Sequence, residues 1–149
     1  MPEKKTLERA RADARQGKAP STQAGEFVRE EIEHVREGKH GARSTKQAIA
    51  IGLSKARRAG VKLPPPAEGK TSERTRAQAQ RDTERSHQKR AVSPKRSRAV
   101  KNALKREGKQ AASRTALSRQ AKASAQKRGR KSRTEAARKA ARTRSVGAA

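Results

Sequence analysis

The chain has 149 residues, of which 41 are Lys or Arg and 14 are Asp or Glu, so its formal charge is +27; Cys, Trp and Tyr are absent and Phe occurs once. Without cysteine it cannot form a disulfide or a thiolate metal site. Leu, Ile, Val and Phe together number 15, and highly charged chains with less than roughly 20 % of these residues are expected to be largely disordered. Composition therefore predicts that most of this chain does not fold by itself.

Residues 1–20 are predicted to form a charged N-terminal arm. They lack the apolar segment of a secretory signal, and Glu3, Glu8 and Asp13 argue against a transit peptide. No apolar run in the sequence approaches the roughly 18 residues that cross a bilayer. We therefore expect a cytoplasmic protein without a membrane partner.

Residues 21–63 are predicted to form a helical hairpin, called the head below. Ser21 or Thr22 is expected to cap a first helix that ends near Glu37, with Gly38 where glycine often closes a helix. Apolar residues recur at helical spacing on one face of this helix, namely Val28, Ile32 and Val35, with Ala24 and Phe27 on its flank. Charged residues are expected to form a solvated face, namely Glu26, Arg29, Glu30, Glu31 and Glu33.

The second helix of the head begins with a capping-box pattern, Ser44 followed three residues later by Gln47, and ends at Gly60. Its apolar arc includes small residues that permit close approach of a packing partner, namely Ala48, Gly52, Ala56 and Ala59. Lys55 interrupts the arc, and its ammonium is expected to reach water. The arc is wider than one antiparallel helix covers. We expect either Val61 and Leu63 to fold back on it, or a second copy of the chain to cover it in a homodimer.

The same region resembles a small, uncharacterised bacterial domain family. The shared pattern is K-H-G at residues 39–41, followed by R-S-x-K-Q-A-I-A-I-x-L-S-x-A at residues 43–56. The resemblance covers roughly a quarter of the chain. It implies a short helical module found in small basic bacterial proteins, and it implies no activity.

The head is followed by a Pro-rich linker at residues 64–70 and a basic tail at residues 71–149. Three consecutive prolines, Pro64 to Pro66, exclude a helix across the linker because they lack an N–H and force extended geometry on their predecessors. Glycines divide the later tail into stretches at 97–107, 113–128 and 133–144 that are rich in helix-forming residues but lack an apolar stripe. The predicted fold is therefore mostly α, a helical hairpin head with a largely disordered, conditionally helical basic tail.

The charge of the tail points to nucleic acid. Beyond Arg85 it holds 21 basic and 2 acidic residues, and neutralising phosphates releases the counterions condensed on DNA. The tail resembles the Ala/Lys-rich tails of linker histones, and Ser93 to Arg96 resembles the S-P-K-[KR] turn that such tails lay along a minor groove. We predict a histone-like, nucleoid-associated protein that binds DNA, in preference to RNA, largely independently of sequence. The predicted contacts are Lys95, Arg96, Arg98, Lys101, Lys105, Arg106, Arg114, Arg119, Lys122, Lys127, Arg128, Arg130, Lys131, Arg133, Arg138, Lys139, Arg142 and Arg144.

Two further binding hypotheses concern the head. Lys46, Arg57 and Arg58 are predicted as secondary nucleic-acid contacts, although no turn of the right length supports a helix-turn-helix. Alternatively, residues 21–63 dock a protein partner, and the tail adds general affinity for RNA or the ribosome.

Catalysis has little support in the sequence. The three histidines, His34, His40 and His87, match no catalytic pattern, and no Gly-rich phosphate loop is present. His34 and His40 can both approach a metal, but no carboxylate spacing completes a site. We therefore predict no enzyme activity, no cofactor, no metal and no small-molecule substrate.

Overall fold

The computed structural model describes residues 1–88 and 91–147, so residues 89, 90, 148 and 149 of the tail lie outside the described part. Within it are six α-helices and no strand. Single 3-10 turns lie at Arg85–His87 and Gln110–Ala112. The helices are α1 (Lys4–Arg15), α2 (Pro20–Glu37), α3 (Thr45–Arg58), α4 (Glu73–Glu84), α5 (Pro94–Lys105) and α6 (Arg114–Gly147). The prediction of a mostly α fold is confirmed.

The two helices predicted for the head correspond to α2 and α3. Pro20 opens α2, a first-turn position where its missing N–H costs nothing, and Gly38 ends it in the left-handed conformation with φ 79°. The hydroxyl of Ser44 accepts the N–H of Gln47 at 3.2 Å and caps α3. The Gln47 side chain in turn accepts the N–H of Arg43 at 2.6 Å, one residue before the position that a capping box uses.

The charged arm is also part of the folded structure. Residues 4–15 form α1, which packs against α2 and buries Thr6 and Ala10. Ala10 joins a cluster with Ala24, Phe27 and Ala56, and Val61 and Leu63 pack against that cluster. Val61 and Leu63 therefore fold back on the apolar arc, which is one of the two alternatives that the sequence predicted.

The tail covers a second part of the arc. Ala111 and Ala112, in the turn before α6, share a buried cluster with Ile32, Val35, Ala42 and Ala48, and Leu117 packs against it. The contact is polar as well as apolar, because the Thr45 hydroxyl donates to the carbonyl of Ala111 at 2.6 Å. Two parts of the arc, around Ala48 and around Ala56, are thus covered from within the chain.

The prediction of a largely disordered tail is wrong for most of its described residues, which form α4, α5 and α6. Two physical causes favour these helices. Ala, Lys, Arg and Gln have high intrinsic helix propensity, and the hydroxyls of Ser72, Ser93 and Ser113 accept N–H groups of the first helical turns. The docking of residues 104–117 on the head adds tertiary contacts that the composition does not reveal.

The chain after the prolines also returns to the head. Residues 61–67 have no regular secondary structure, and α4 then packs against α3. Asp82 of α4 is buried, with a carboxylate oxygen 3.5 Å from Nε of Arg58.

In the described residues, no helix is long and apolar enough to span a membrane.

Helices α2 and α3 approach closely at Gly52, where a Cβ would lie 2.6 Å from the Cα of Val28. Gly52→Ala is therefore expected to force the two helices apart. Over-packing costs about 1–3 kcal/mol, and the higher helix propensity of alanine returns about 1 kcal/mol. We expect a net loss of up to about 2 kcal/mol in the free energy of unfolding, measured by urea denaturation.

Gly25→Ala is the matched control for this prediction. Gly25 also lies inside a helix, but among the described residues no atom lies within 4 Å of a Cβ placed there. This variant is expected to gain up to about 1 kcal/mol. Equal denaturation midpoints for the two variants would contradict the close helix contact.

Candidate nucleic-acid interface

The basic residues predicted to contact nucleic acid are all exposed in the structure. Five of the eighteen lie on α5, Arg106 follows at its C-cap, and twelve lie on α6. Between Pro94 and Gly147 the sequence holds two acidic residues, Glu107 and Glu135. Glu107 lies 3.7 Å from Nε of Arg43. The predicted contacts are therefore exposed basic residues on both helices, with few acidic residues between them in sequence.

The long helix α6 carries most of these residues. None of its residues is buried, and its Lys and Arg are distributed around the helix rather than along one stripe. Gly129 has φ 71° and ψ 168°, which interrupts the helical backbone near its middle. The helix stays anchored at its N-terminal end, where Leu117 packs against the head.

The S-P-K-R sequence at residues 93–96 opens α5 instead of forming a separate turn. Ser93 is the N-cap and its hydroxyl accepts the N–H of Arg96 at 3.5 Å, while Pro94 occupies the first turn. This is the ordinary position of proline at a helix start. The expected extended turn for the minor groove is therefore replaced by a helix N-terminus.

The secondary contacts predicted on the head are only partly available. Lys46 and Arg58 are exposed, but Arg57 is 7 % exposed. Its guanidinium donates to the carbonyls of Leu63 and Pro64, at 3.4 and 3.3 Å. Burial lowers the pKa of Arg57, and the nearby charge of Asp82 partly opposes that shift. Arg57 therefore holds the Pro-rich segment against α3, and little of its side chain is exposed for the predicted nucleic-acid contact.

A cleft of about 460 Å³ brings basic residues from three helices together. Arg58 of α3, Arg81 of α4 and Arg96 of α5 line it, with Arg85 from the turn after α4. One acidic residue, Glu84, lies among them. Sequence reasoning did not single out Arg81 or Arg85, because the cleft forms only when α4 packs against α3. It extends the basic surface of the tail onto the head.

A buried ionic cluster lies where α2 faces α3, and it replaces part of the predicted solvated face. Glu30 is 3 % exposed and Glu31 is fully buried. Nζ of Lys55 lies 2.6 Å from Oε2 of Glu31 and 3.5 Å from Oε1 of Glu30, so its ammonium pairs with carboxylates rather than reaching water. The sequence contained a signal for this, since Glu31 follows Val28 by three residues and precedes Val35 by four, on the apolar face of α2.

The N-terminal arm reaches the same cluster. The backbone N–H of Glu3 donates to Glu30 at 3.0 Å, and the Glu3 carboxylate lies 2.9 Å from Nε2 of His34. Burial raises the pKa of Glu30, but hydrogen bonds from Thr6 and from the Glu3 N–H, together with the Lys55 charge, outweigh it and lower the pKa overall. His40 completes the cluster, with Nε2 3.0 Å from Oε1 of Glu31.

Residues 4–67 match a family model described as "Family of unknown function (DUF6496)". The resemblance to an uncharacterised family is thereby confirmed at that level. The match covers α1, α2, α3 and the prolines, whereas α4, α5 and α6 lie outside it. No curated protein and no solved structure shows significant similarity to the chain.

Proposed function

We propose that the protein is a non-enzymatic, histone-like protein that binds DNA largely independently of sequence, and that it acts on the nucleoid. The observation that carries the proposal is the exposed, almost purely basic surface of α5 and α6. Two acidic residues of the head, Glu30 and Glu31, are buried with a lysine. The basic residues of α5 and α6 are thus presented outward, while these two carboxylates are held inward.

The charge density of α6 suits a polyanion. Twelve of its 34 residues are Lys or Arg and one is acidic, which leaves like charges one helical turn apart that repel each other. Duplex DNA carries one negative charge per about 1.7 Å of its axis. Phosphates of the DNA would neutralise these charges and remove the repulsion within α6. Binding would also release counterions from the DNA, and both effects stabilise the complex.

The side chains favour duplex DNA over single strands and argue against sequence reading. Proteins that bind single-stranded nucleic acid usually stack bases on aromatic rings, but Phe27 is the one aromatic residue apart from histidine and is 1 % exposed. Base-edge recognition needs a few precisely placed donors and acceptors on one helix face. The basic residues of α6 lie on all sides, an arrangement typical of phosphate contacts.

The adaptor hypothesis has less support. A protein partner on the head would need an accessible apolar face, whereas parts of the apolar faces of α2 and α3 are covered by Ala10 of α1, by Val61 and Leu63, and by Ala111, Ala112 and Leu117. We therefore assign the head a supporting role, in which it positions the first turn of α6.

The proposal predicts a steep dependence of DNA affinity on salt. The logarithm of the association constant is expected to fall linearly with the logarithm of salt concentration, by about 0.9 for each phosphate engaged. Changing Arg130, Lys131, Arg138 and Lys139 to Gln together should reduce the slope by up to about 3.6. The measurement is fluorescence anisotropy of a labelled duplex at several salt concentrations.

The control removes the same number of positive charges from α1. Lys4, Lys5, Arg11 and Arg15 are exposed residues of α1, and replacing them with Gln should leave the slope nearly unchanged. A scrambled duplex should bind as well as the original, and an RNA duplex of equal length more weakly. An equal loss of slope in the α1 variant, or a strong preference for one sequence, would contradict the proposal.

A further inference from the structure

Three potential ligands meet at the C-terminal half of α2. Glu31 and His34 lie one helical turn apart, and His40 follows in the turn after Gly38. One oxygen of Glu31 and one nitrogen of each histidine all lie within 4.8 Å of one another. The two imidazole rings are edge-to-face, with centroids 6.2 Å apart. The sequence supplied both histidines, and the fold adds the carboxylate that sequence spacing alone did not.

The carboxylate of Glu31 is incompletely paired. Its Oε2 accepts a hydrogen bond from Lys55 at 2.6 Å. Its Oε1 is buried and accepts no hydrogen bond from the described residues, although Nε2 of His40 lies 3.0 Å away. A buried carboxylate oxygen without a donor is costly. The group therefore points to a cation that would occupy the space between Oε1 and the histidines.

The orientation of His40 supports this argument. Nδ1 of His40 lies 2.9 Å from the carbonyl of Gly41, and a carbonyl only accepts, so Nδ1 is the donor of this pair. Nε2 of His40 is therefore the ring nitrogen that faces Oε1 of Glu31, at 3.0 Å. A nitrogen of His34 lies within 4.8 Å of a ligand atom of each of these two residues, so three potential ligands converge on one place, as a metal ion requires.

We propose that Glu31, His34 and His40 bind one Zn²⁺ ion, with a water molecule as the fourth ligand. Two imidazoles and one carboxylate are a donor set that suits Zn²⁺ in tetrahedral coordination. Bonds of about 2.0 Å place tetrahedral ligands about 3.3 Å apart, so small rotations of the three side chains would complete the site. The histidine side chains are 14 and 16 % exposed, which gives an ion access from solvent.

The surroundings supply the outer contacts that orient metal ligands. Lys55 holds Oε2 of Glu31, the Gly41 carbonyl accepts from His40, and Glu3 lies 2.9 Å from Nε2 of His34. Apart from the histidines, the carboxylates of this cluster (Glu3, Glu30, Glu31 and Glu37) exceed the ammonium groups of Lys39 and Lys55 by two negative charges. The cluster thus attracts a cation although the chain as a whole is strongly positive.

The test is a calorimetric titration, in which Zn²⁺ alone is added to the full-length protein and the heat of binding is measured. One equivalent is expected to bind, and His40→Gln and Glu31→Gln should each weaken binding about 100-fold or more. The matched controls are His87→Gln and Glu33→Gln, which change exposed residues of the same types and should bind as the unchanged protein does. Equal binding by His40→Gln and His87→Gln, or no saturation near one equivalent, would overturn the proposal.

A second measurement needs no variant and so does not depend on whether Glu31→Gln folds. Nitrogen-15 NMR of the imidazoles distinguishes a metal-bound nitrogen from a protonated one. Addition of one equivalent of Zn²⁺ is expected to shift the ring nitrogens of His34 and His40 and to leave those of His87 unchanged. A doubly protonated His40 at neutral pH that does not respond to Zn²⁺ would show an ion pair with Glu31 and would overturn the metal site.

Discussion

Gly41→Ala is expected to release the tail from the head. A Cβ at this position would lie within van der Waals overlap of the backbone carbonyls of Glu107 and Gly108, and no side-chain rotation relieves a clash with backbone. The backbone hydrogen bonds from Gly41 to Leu104, 2.9 Å, and from Ala42 to Gly108, 3.1 Å, would be lost as well. We expect a loss of about 3 kcal/mol in the free energy of unfolding, at the upper end of over-packing effects.

The measurement for this prediction is thermal denaturation together with hydrogen exchange at the amide of Ala42. That amide should exchange faster in the variant because its acceptor has moved away. Gly108→Ala is the control on the other side of the same contact, since no described atom lies within 4 Å of a Cβ placed there. Unchanged exchange in Gly41→Ala would show that residues 104–112 do not dock on the head as described.

Lys55→Met is expected to destabilise the head by about 3–5 kcal/mol, because removing one partner of a buried pair leaves an uncompensated charge. The ammonium of Lys55 contacts both Glu30 and Glu31, which are 3 % and 0 % exposed. Methionine keeps the length of the side chain, so the loss reports charge rather than packing. Urea denaturation at neutral pH is the measurement. Lys46→Met, an exposed lysine on the same helix, should change stability little.

The effect of Lys55→Met should depend on pH. The pKa of Glu30 lies below its usual value of 4.5 in the folded protein. The contribution of the ionised Glu30 carboxylate to the free energy of unfolding is therefore fully present above pH 4.5. This contribution is lost as the pH falls through the pKa of Glu30 in the folded protein. In the variant the pKa of Glu30 should rise, so protonation relieves the unpaired charge. The stability difference between the two proteins should narrow on acidification, and a difference that is constant with pH would contradict a charge origin.

Local signals in the sequence predicted the helices of the head. Gly38, the Ser44–Gln47 pair and Gly60 mark ends that the structure places within one or two residues, because capping and left-handed glycines act over a few neighbouring residues. The basic residues of α5 and α6 could be predicted as well, because their charge is known from the residue types alone. Neither the helix ends nor the charges require knowledge of contacts between residues far apart in sequence.

The docking of the tail could not be predicted in the same way. Thr45 bonds to Ala111 across 66 residues, and Arg36 to Ala112 across 76. Alanine carries no strong hydrophobic signal, so the segment that covers the head looks like the rest of the tail in sequence. The burial of Arg57 was missed for a related reason, because a guanidinium that bonds to carbonyls of the following loop looks like a surface charge until the loop is placed.

The interruption at Gly129 sets the shape of the longest charged element. An unbroken helix of 34 residues is about 51 Å long, and a straight rod cannot follow a surface that curves along the direction of the rod. The backbone of Gly129, with φ 71° and ψ 168°, divides that length into two stiff arms of about 22 and 27 Å. Two helical arms joined at an angle can stay in contact with a curved surface where a single straight helix would lose contact. The change of backbone direction at this single glycine thus determines how much of a curved partner surface α6 can contact.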